Sequence, residues 1–163
     1  MPTPCHLTLI GESQGEIEGG CEHDGREGTI IVQSVDHVVE IPTDSRGIST
    51  GRRVHRPMTI TKEIDCSTPM LYQALCTGER LTEVTLDWYR VEALSGGQEI
   101  YYTVYMQNVI ISKLHPWMPN TLDQKNSGFR HMEDVSFMYE KIRWTWVQDG
   151  IEFDDTWGEM FES

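Results

Sequence analysis

One short segment of this chain has the residue types and spacing of a hydrolase nucleophile. Gly47-Ile48-Ser49-Thr50-Gly51 fits the G-x-S-x-G pattern, and His55 follows as a candidate base. A nucleophile elbow needs a buried strand entering the serine turn and a helix leaving it. The arginine-rich residues 52–57 are not a helical sequence. We therefore predict no catalytic residue and keep a serine hydrolase using Ser49 and His55 as an alternative, which ester hydrolysis lost on Ser49→Ala would support.

The metal-binding residue types form no recognisable ligand set. The six histidines include no H-E-x-x-H pair and the four cysteines include no C-x-x-C pair. Cys21 and His23 lie too close together in sequence for a standard zinc site. We predict neither a metal nor a cofactor. Cys66 and Cys76, which flank and occupy a predicted helix, are expected to be buried free thiols.

The charge of the chain argues against two classes of partner. Thirteen basic and 26 acidic residues give a net charge of −13. Nucleic-acid phosphates and anionic membrane surfaces favour Lys and Arg, so we expect no nucleic-acid binding. No apolar run approaches the about 18 residues that a spanning helix needs, so we expect no membrane insertion. The first residues lack the pattern of a cleavable signal peptide, which predicts a cytoplasmic chain with reduced thiols.

The basic residues are concentrated in one segment. Residues 42–56 contain four arginines and a single acid, Asp44, whereas residues 12–27 and 149–163 are strongly acidic. A long excursion of this kind is usually functional. A basic patch and an acidic patch on opposite faces of one chain allow head-to-tail association of copies. Among the aromatic residues, Trp117 and Trp157 are the candidates for interface contacts.

Alternating hydrophobicity predicts a mainly β protein. Strands are predicted over residues 6–10, 29–41, 57–65, 82–94, 99–114 and 135–147, and a helix over 68–77 with a cap at Ser67 or Thr68 and an exit at Gly78. One face of 29–41 and one face of 99–114 are predicted to be apolar: Ile31, Val35, Val39 and Ile41 in the first, and Ile100, Tyr102, Val104, Met106 and Ile110 in the second.

The last predicted long strand contains a phase defect. Val135, Phe137 and Tyr139 follow one register, but Ile142 and Trp144 follow the opposite one. A side-chain period of two requires a bulge or bend between them, near residues 140–141. Such bends curl sheets, so we predict an antiparallel β-barrel, or two packed sheets, with one α-helix and an extended hairpin loop. The chain is expected to form a single domain over residues 1–163. The stretch after Gly150 either completes the last strand or extends as a tail.

Three stretches of the chain resemble a known family. They read DGREGTIIVQSVDHVVEIP at 24–42, TGRRVHRPMTITKEID at 50–65 and TPMLYQAL at 68–75. In these words the chain is similar to the Hcp family, the tube-forming proteins of bacterial type VI secretion systems. The similarity continues more loosely over nearly the whole chain. A phage-type or other contractile-tail tube protein, and a cytosolic monomeric ligand-binding β-barrel, remain alternatives.

The resemblance implies a structural role without enzymatic activity. It implies homohexameric rings that stack into a hollow tube, a contractile sheath and baseplate that expel the tube, a VgrG-type spike at its tip and secreted effectors in its lumen. It also implies export through that machine after a cytoplasmic stage. The segment 42–56 would then reach the next ring or subunit, and the residues expected to contact it are Arg46, Arg52, Arg53, His55 and Arg56.

Overall fold

The computed structural model describes residues 3–157. The strands within that range are β1 (Cys5–Gly11), β2 (Gly15–Ile17), β3 (Ile30–Asp36), β4 (Val39–Glu40), β5 (Val54–His55), β6 (Met58–Glu63), β7 (Leu81–Val91), β8 (Gln98–Trp117), β9 (Met132–Trp146) and β10 (Ile151–Thr156). The helix α1 spans Thr68–Thr77, and a short 3₁₀ turn spans Gln124–Asn126.

Six of these strands close into a barrel. The neighbours run β9, β6, β3, β1, β7 and β8, and β8 pairs back onto β9. Every pairing is antiparallel, and closure leaves these six strands without free edges. Outside the ring, β10 extends the sheet beside β9, β2 pairs with β1, and β4 and β5 form a separate hairpin. The predicted barrel with one helix and an extended hairpin is confirmed.

The helix has the bounds that the sequence predicts. Gly78 ends it in the left-handed conformation with a φ of 68°, and Leu71 and Ala74 are buried against the barrel core. The predicted cap differs in one respect. Ser67 occupies the N-cap position but its side chain makes no capping bond; instead its backbone N–H donates to the carboxylate of Asp65. No helix within residues 3–157 is long and apolar enough to cross a bilayer.

A buried ion pair joins the barrel to the start of α1. Lys62 on β6 and Glu133 on β9 are directly paired in register, and both are fully buried. The Lys62 ammonium donates to Glu133 Oε1, which also accepts the hydroxyl of Thr68 at 2.8 Å. The same ammonium lies 3.0 Å from Asp65 Oδ1. Burial opposes ionisation of Asp65, but the Ser67 hydroxyl and the Lys62 charge lower the pKa of its carboxyl.

The two longest strands change their inward-facing register at the same rung. Along β8 the buried residues pass from Met106 to Val109, and along β9 from Ile142 to Tyr139, and the two pairs lie opposite each other. Asn108 there adopts a φ of 48°, and its side chain donates to Glu140 at 3.0 Å. At this point β9 also exchanges one neighbour, β6, for another, β10. The predicted defect near residues 140–141 is confirmed, but Val109 faces the core where Ile110 was predicted.

The predicted strand over residues 29–41 is wrong in extent and in its inward face. β3 ends at Asp36, and its buried residues are Ile30 and Val32. The register against β6 shifts between Val32 and Ser34, so one extra residue interrupts the alternation. The sequence does not reveal that bulge, so it suggested one continuous apolar face that the strand does not have. The residues beyond it, Val39 and Ile41, are exposed on the hairpin.

The thiols in and beside the helix are exposed, contrary to the sequence-based expectation. Cys76 faces solvent because the inward stripe of α1 consists of Leu71 and Ala74 with Leu75 packed beside them. Cys66 precedes the helix, where it is exposed with its Sγ 3.5 Å from the carbonyl oxygen of Glu18. The buried thiols are Cys5 and Cys21. Burial raises the pKa of the Cys5 thiol to about 12, which leaves it protonated at neutral pH.

His6 is buried in a neutral form whose proton position the contacts define. The Thr29 hydroxyl donates to the carbonyl of Arg26, so it accepts from His6 Nδ1 at 2.9 Å. His6 Nε2 then accepts from the Arg26 guanidinium at 3.2 Å. A second proton on His6 would point at that cation. Burial, together with the charges of Arg26 and His23, lowers the pKa of His6 to about 4.

This arrangement predicts an acid-dependent loss of stability. The unfolded chain takes up a proton on His6 near its ordinary pKa of about 6.5, whereas the folded chain resists protonation down to about 4. The contribution of neutral His6 to the free energy of unfolding is therefore fully present above pH 6.5 and is lost as the pH drops towards 4. In urea unfolding at pH 7 and pH 4.5, the pH difference should be smaller for His6→Gln than for the wild type. The exposed His131→Gln should keep the wild-type difference, and an equal difference in all three proteins would contradict this assignment.

Candidate subunit-contact site

The arginine-rich segment forms a compact hairpin tip. Thr43 bridges to Ser49, and Asp44 caps the turn between them: its Oδ1 accepts the N–H groups of Arg46 at 2.8 Å and Ile48 at 3.0 Å. These two backbone donors lower the pKa of the Asp44 carboxyl. Gly47 supplies the positive φ of 80° that the turn needs. The tip is therefore an ordered turn, and most of its side chains are exposed.

Two arginines near the base of the hairpin are paired within their own chain. Arg53 makes a two-pronged contact with Asp155 on β10, at 2.5 and 2.8 Å, and also donates to the carbonyl of Thr156. Arg56 donates twice to Glu40 on the opposite strand. These exposed pairs align β4, β5 and β10 with one another. The hydrogen bond from Arg53 and the charge of that guanidinium lower the pKa of the Asp155 carboxyl.

His55 lies beneath these pairs and is buried, whereas the sequence predicted an exposed contact residue. Its side chain is 2% exposed, Nδ1 lies 2.5 Å from the hydroxyl of Tyr139, and Nε2 lies 2.8 Å from Asp155 Oδ2. His37 Nε2 approaches the same Tyr139 hydroxyl at 2.7 Å. With both ring nitrogens engaged and no free surface, His55 supports the hairpin from inside. The prediction that it contacts a neighbouring subunit does not fit this position.

The groups left available on the hairpin are both basic and apolar. Arg52 is exposed and has no ionic or hydrogen-bonding partner among residues 3–157, and Arg46 is 77% exposed with a single long contact to Asp44. Ile41 and Ile48 expose 56% and 54% of their surface. Branched apolar side chains beside exposed arginines are typical of a surface that another protein covers.

The two tryptophans proposed as interface residues are half-buried at different places. Trp117 ends β8 and packs edge-on against the exposed Phe129, with ring centroids 5.9 Å apart. Trp157 lies 5.1 Å from the ring of His55 and its backbone N–H donates to Glu140, so it closes the hairpin base. Contacts of either residue with another subunit stay predictions.

The serine motif does not have the geometry of a nucleophile elbow. Ser49 lies on the exposed hairpin tip, and its hydroxyl donates to the carbonyl of Gly51 at 3.1 Å. His55, the only base that the sequence suggested for it, is buried on Tyr139 and Asp155. Within residues 3–157, no cluster of three or more His, Cys, Asp or Glu could hold a metal ion.

Sequence reasoning missed three residues of this site. The sequence places Tyr139 in one register of a predicted strand, His37 within another predicted strand and Asp155 in an acidic segment, with no sign that the three meet. They meet across 84 to 102 positions of sequence, so local patterns could not bring them together. The available signal was the placement of Asp155 in the same acidic segment that a basic hairpin would be expected to contact.

The fold and the site together define a class of protein: a closed β-barrel that projects a basic and apolar hairpin from its outside. A family model described as type VI secretion system effector, Hcp, matches residues 7–146. The Major exported protein of Pseudomonas aeruginosa is 41% identical over 96% of both chains.

Solved structures give the same result. A variant of the Hcp1 protein of Escherichia coli EAEC 042 has a TM-score of 0.86 at 35% identity, covering 96% of this chain and 99% of the other. The secreted protein Hcp3 of Pseudomonas aeruginosa has a TM-score of 0.79 at 36% identity, with the same coverage. The chain belongs to the Hcp family. It is a secreted β-barrel protein of type VI secretion.

Proposed function

We propose that this chain is the structural subunit of a type VI secretion tube. In this proposal the whole chain acts as one barrel unit, copies associate into hexameric rings, and the rings stack into a hollow tube. Membership of the Hcp family supports it. The single observation that carries it is the hairpin, whose tip exposes Ile48 and an Arg52 that has no ionic or hydrogen-bonding partner in the described part of the chain.

Charge complementarity gives the hairpin a partner of defined chemistry, a second copy of this chain. The net charge is −13, and all six acidic residues of 12–27 are exposed. A basic tip on one part of an acidic protein favours head-to-tail contacts, which grow into rings or filaments because the two contacting patches differ. Exposed ion pairs are screened over about 8 Å at physiological ionic strength, so added salt should loosen the contact.

The proposed mechanism is mechanical. The subunit waits in the cytoplasm, assembles on a baseplate behind a VgrG-type spike, and is expelled by a contractile sheath with effectors in the lumen. Each contact must be weak enough for assembly to correct itself, while many contacts together resist the force of ejection. No step requires bond making or breaking by the protein.

The proposal is tested by the mass of the purified protein. Light scattering after size exclusion, with negative-stain images of the same peak, should give six chains and ring-shaped particles. Longer stacks should appear at high concentration and low salt. A monomer without rings at every concentration would contradict the proposal.

A monomeric ligand-binding barrel is the alternative of another class. Such a protein needs an interior cavity, and the barrel interior here is filled by close-packed side chains that are fully buried, including Leu7, Leu9, Met106 and Phe137. A phage-type tail-tube protein would use the same surface, and the family match favours the secretion tube.

A further inference from the structure

The hairpin base is connected to three other parts of the barrel by one chain of hydrogen bonds. His37 follows β3, Tyr139 lies on β9, His55 lies on β5 and Asp155 lies on β10. The three contacts are 2.7 Å, 2.5 Å and 2.8 Å in that order. Tyr139 is fully buried, so its hydroxyl has no access to solvent.

The chemistry of the four groups determines which atom donates in each of the three hydrogen bonds. The Asp155 carboxylate only accepts, so the neutral His55 ring carries its proton on Nε2 and leaves Nδ1 as an acceptor. The Tyr139 hydroxyl therefore donates to His55 Nδ1. Its oxygen then accepts from His37 Nε2, which carries the proton of that ring. Each of the three hydrogen bonds therefore has one defined donor and one defined acceptor when both histidines are neutral.

Asp155 is the last acceptor in this series of hydrogen bonds, and it is also the partner of Arg53. The Asp155 carboxylate binds both His55, on β5, and Arg53, which directly precedes β5. Trp157 covers His55 from the β10 side. The direction in which the hairpin leaves the barrel thus depends on β10, although β10 does not pair with either hairpin strand.

We propose that β10 positions the hairpin for docking onto a second copy of this chain, with Asp155, His55, Tyr139 and His37 as positioning residues, and that acid releases the hairpin. The docking half of this inference rests on the proposed function. The positioning half concerns a single chain and stands on its geometry alone.

The effect of acid follows from the number of protons that the hydrogen-bonded series His37–Tyr139–His55 can accept while the hairpin stays closed. If His55 gains a proton, its Nδ1–H donates to the Tyr139 oxygen and the Tyr139 hydroxyl turns to His37, which must then be neutral. If both histidines are protonated, both donate to the same oxygen and the buried hydroxyl hydrogen loses its acceptor. Two neighbouring imidazolium ions would also repel each other. Opening the hairpin exposes both rings to water and removes this restriction.

The surrounding charges do not cancel the effect. Arg53, just before β5, and Asp155, on β10, lie beside His55. Asp36 lies beside His37 at the end of β3, and the Arg56–Glu40 pair lies at the hairpin base. Burial first, and then the charge of His55, lower the pKa of His37 despite the opposing effect of Asp36. The closed form is therefore favoured above the ordinary histidine pKa of about 6.5 and loses that preference as the pH falls below it.

Hydrogen–deuterium exchange of peptides from residues 39–56, corrected for the intrinsic effect of pH, measures hairpin opening directly. Asp155→Ala should speed this exchange at least tenfold at pH 7.5, because it leaves the buried His55 N–H without an acceptor. The matched control is Glu152→Ala, which removes an exposed carboxylate from the same strand. Equal hairpin exchange in the two variants would overturn the positioning role.

A variant at His37 tests whether acid releases the hairpin. Lowering the pH from 7.5 to 5.5 should speed hairpin exchange several-fold in the wild type. His37→Gln, which keeps an N–H donor for Tyr139 but cannot be protonated, should show a clearly smaller change. The same acid response in both proteins would overturn acid release.

Assembly is scored separately by light scattering, so the two proposals can fail independently. If the wild type forms no rings, the proposed function fails while the exchange comparison remains valid. If the wild type forms rings and Asp155→Ala opens the hairpin yet assembles and stacks like Glu152→Ala, docking does not depend on this position. Faster hairpin exchange together with weakened stacking supports the whole inference.

Discussion

Replacing Glu133 with alanine should lower the free energy of unfolding by about 3–5 kcal/mol, the cost typical of leaving one member of a buried ion pair alone. The Lys62 ammonium is fully buried and, among residues 3–157, would keep only Asp65 as a charged partner, at 3.0 Å. The Thr68 hydroxyl would also lose its acceptor at the start of α1. Urea unfolding followed by circular dichroism, with wild type and variant in the same oligomeric state, measures the difference.

Two further variants make this result specific to the ion pair. Glu63→Ala removes a neighbouring carboxylate on the same strand as Lys62, but its contact with Arg130 is 3.7 Å long and exposed, so the loss should be at most about 1 kcal/mol. The double variant Lys62→Met/Glu133→Leu should recover much of the stability, because apolar residues can replace a buried pair. A loss for Glu133→Ala no larger than that for Glu63→Ala would show that the pair contributes little.

The double variant Ile48→Ser/Arg52→Glu should weaken association between copies by at least about 30-fold. An interface residue with a large contribution is worth about 2 kcal/mol or more, and a reversed charge also opposes encounter with an acidic surface. Ile48 is 54% exposed and Arg52 has no ionic or hydrogen-bonding partner within residues 3–157, so the monomer should unfold at nearly the same urea concentration as the wild type. Light scattering over a concentration series gives the shift in the assembly midpoint.

The control for the tip variant is Lys125→Glu, which makes the same charge reversal on an exposed residue of the 3₁₀ turn away from the hairpin. It should assemble like the wild type. If both proteins assembled equally well, the hairpin tip would not be a contact surface. If both were weakened equally, net charge and not the tip would explain the effect.

The barrel was predictable because most of its strands obey a simple alternation. In β7 the buried Val84 and Leu86 follow the pattern that the sequence shows, and α1 has the bounds that its end residues indicate. Irregular positions account for the errors. In β8 the sequence predicts an apolar face that continues to Ile110, but at Asn108 the inward face changes from Met106 to Val109.

The contact site was predictable in composition but not in its internal structure. Four arginines in one excursion identified the hairpin, and the structure shows that Arg53 and Arg56 form ion pairs within their own chain, whereas Arg52 has no such partner among the residues described. That division depends on Asp155, 102 positions from Arg53. No local pattern reports a contact over that separation.

The shared rung at Asn108 and Glu140 limits how the gene can change length. Deleting Asn108 alone would turn Val109 and Ile111 outward, while Tyr139 and Phe137 opposite them would still face the core. A compensating deletion in β9 would restore the match on this pair but would misalign β9 with both β6 and β10. We therefore expect single-codon insertions and deletions to be selected against at this rung more strongly than substitutions, and a deep mutational library scored for soluble protein would reveal that asymmetry.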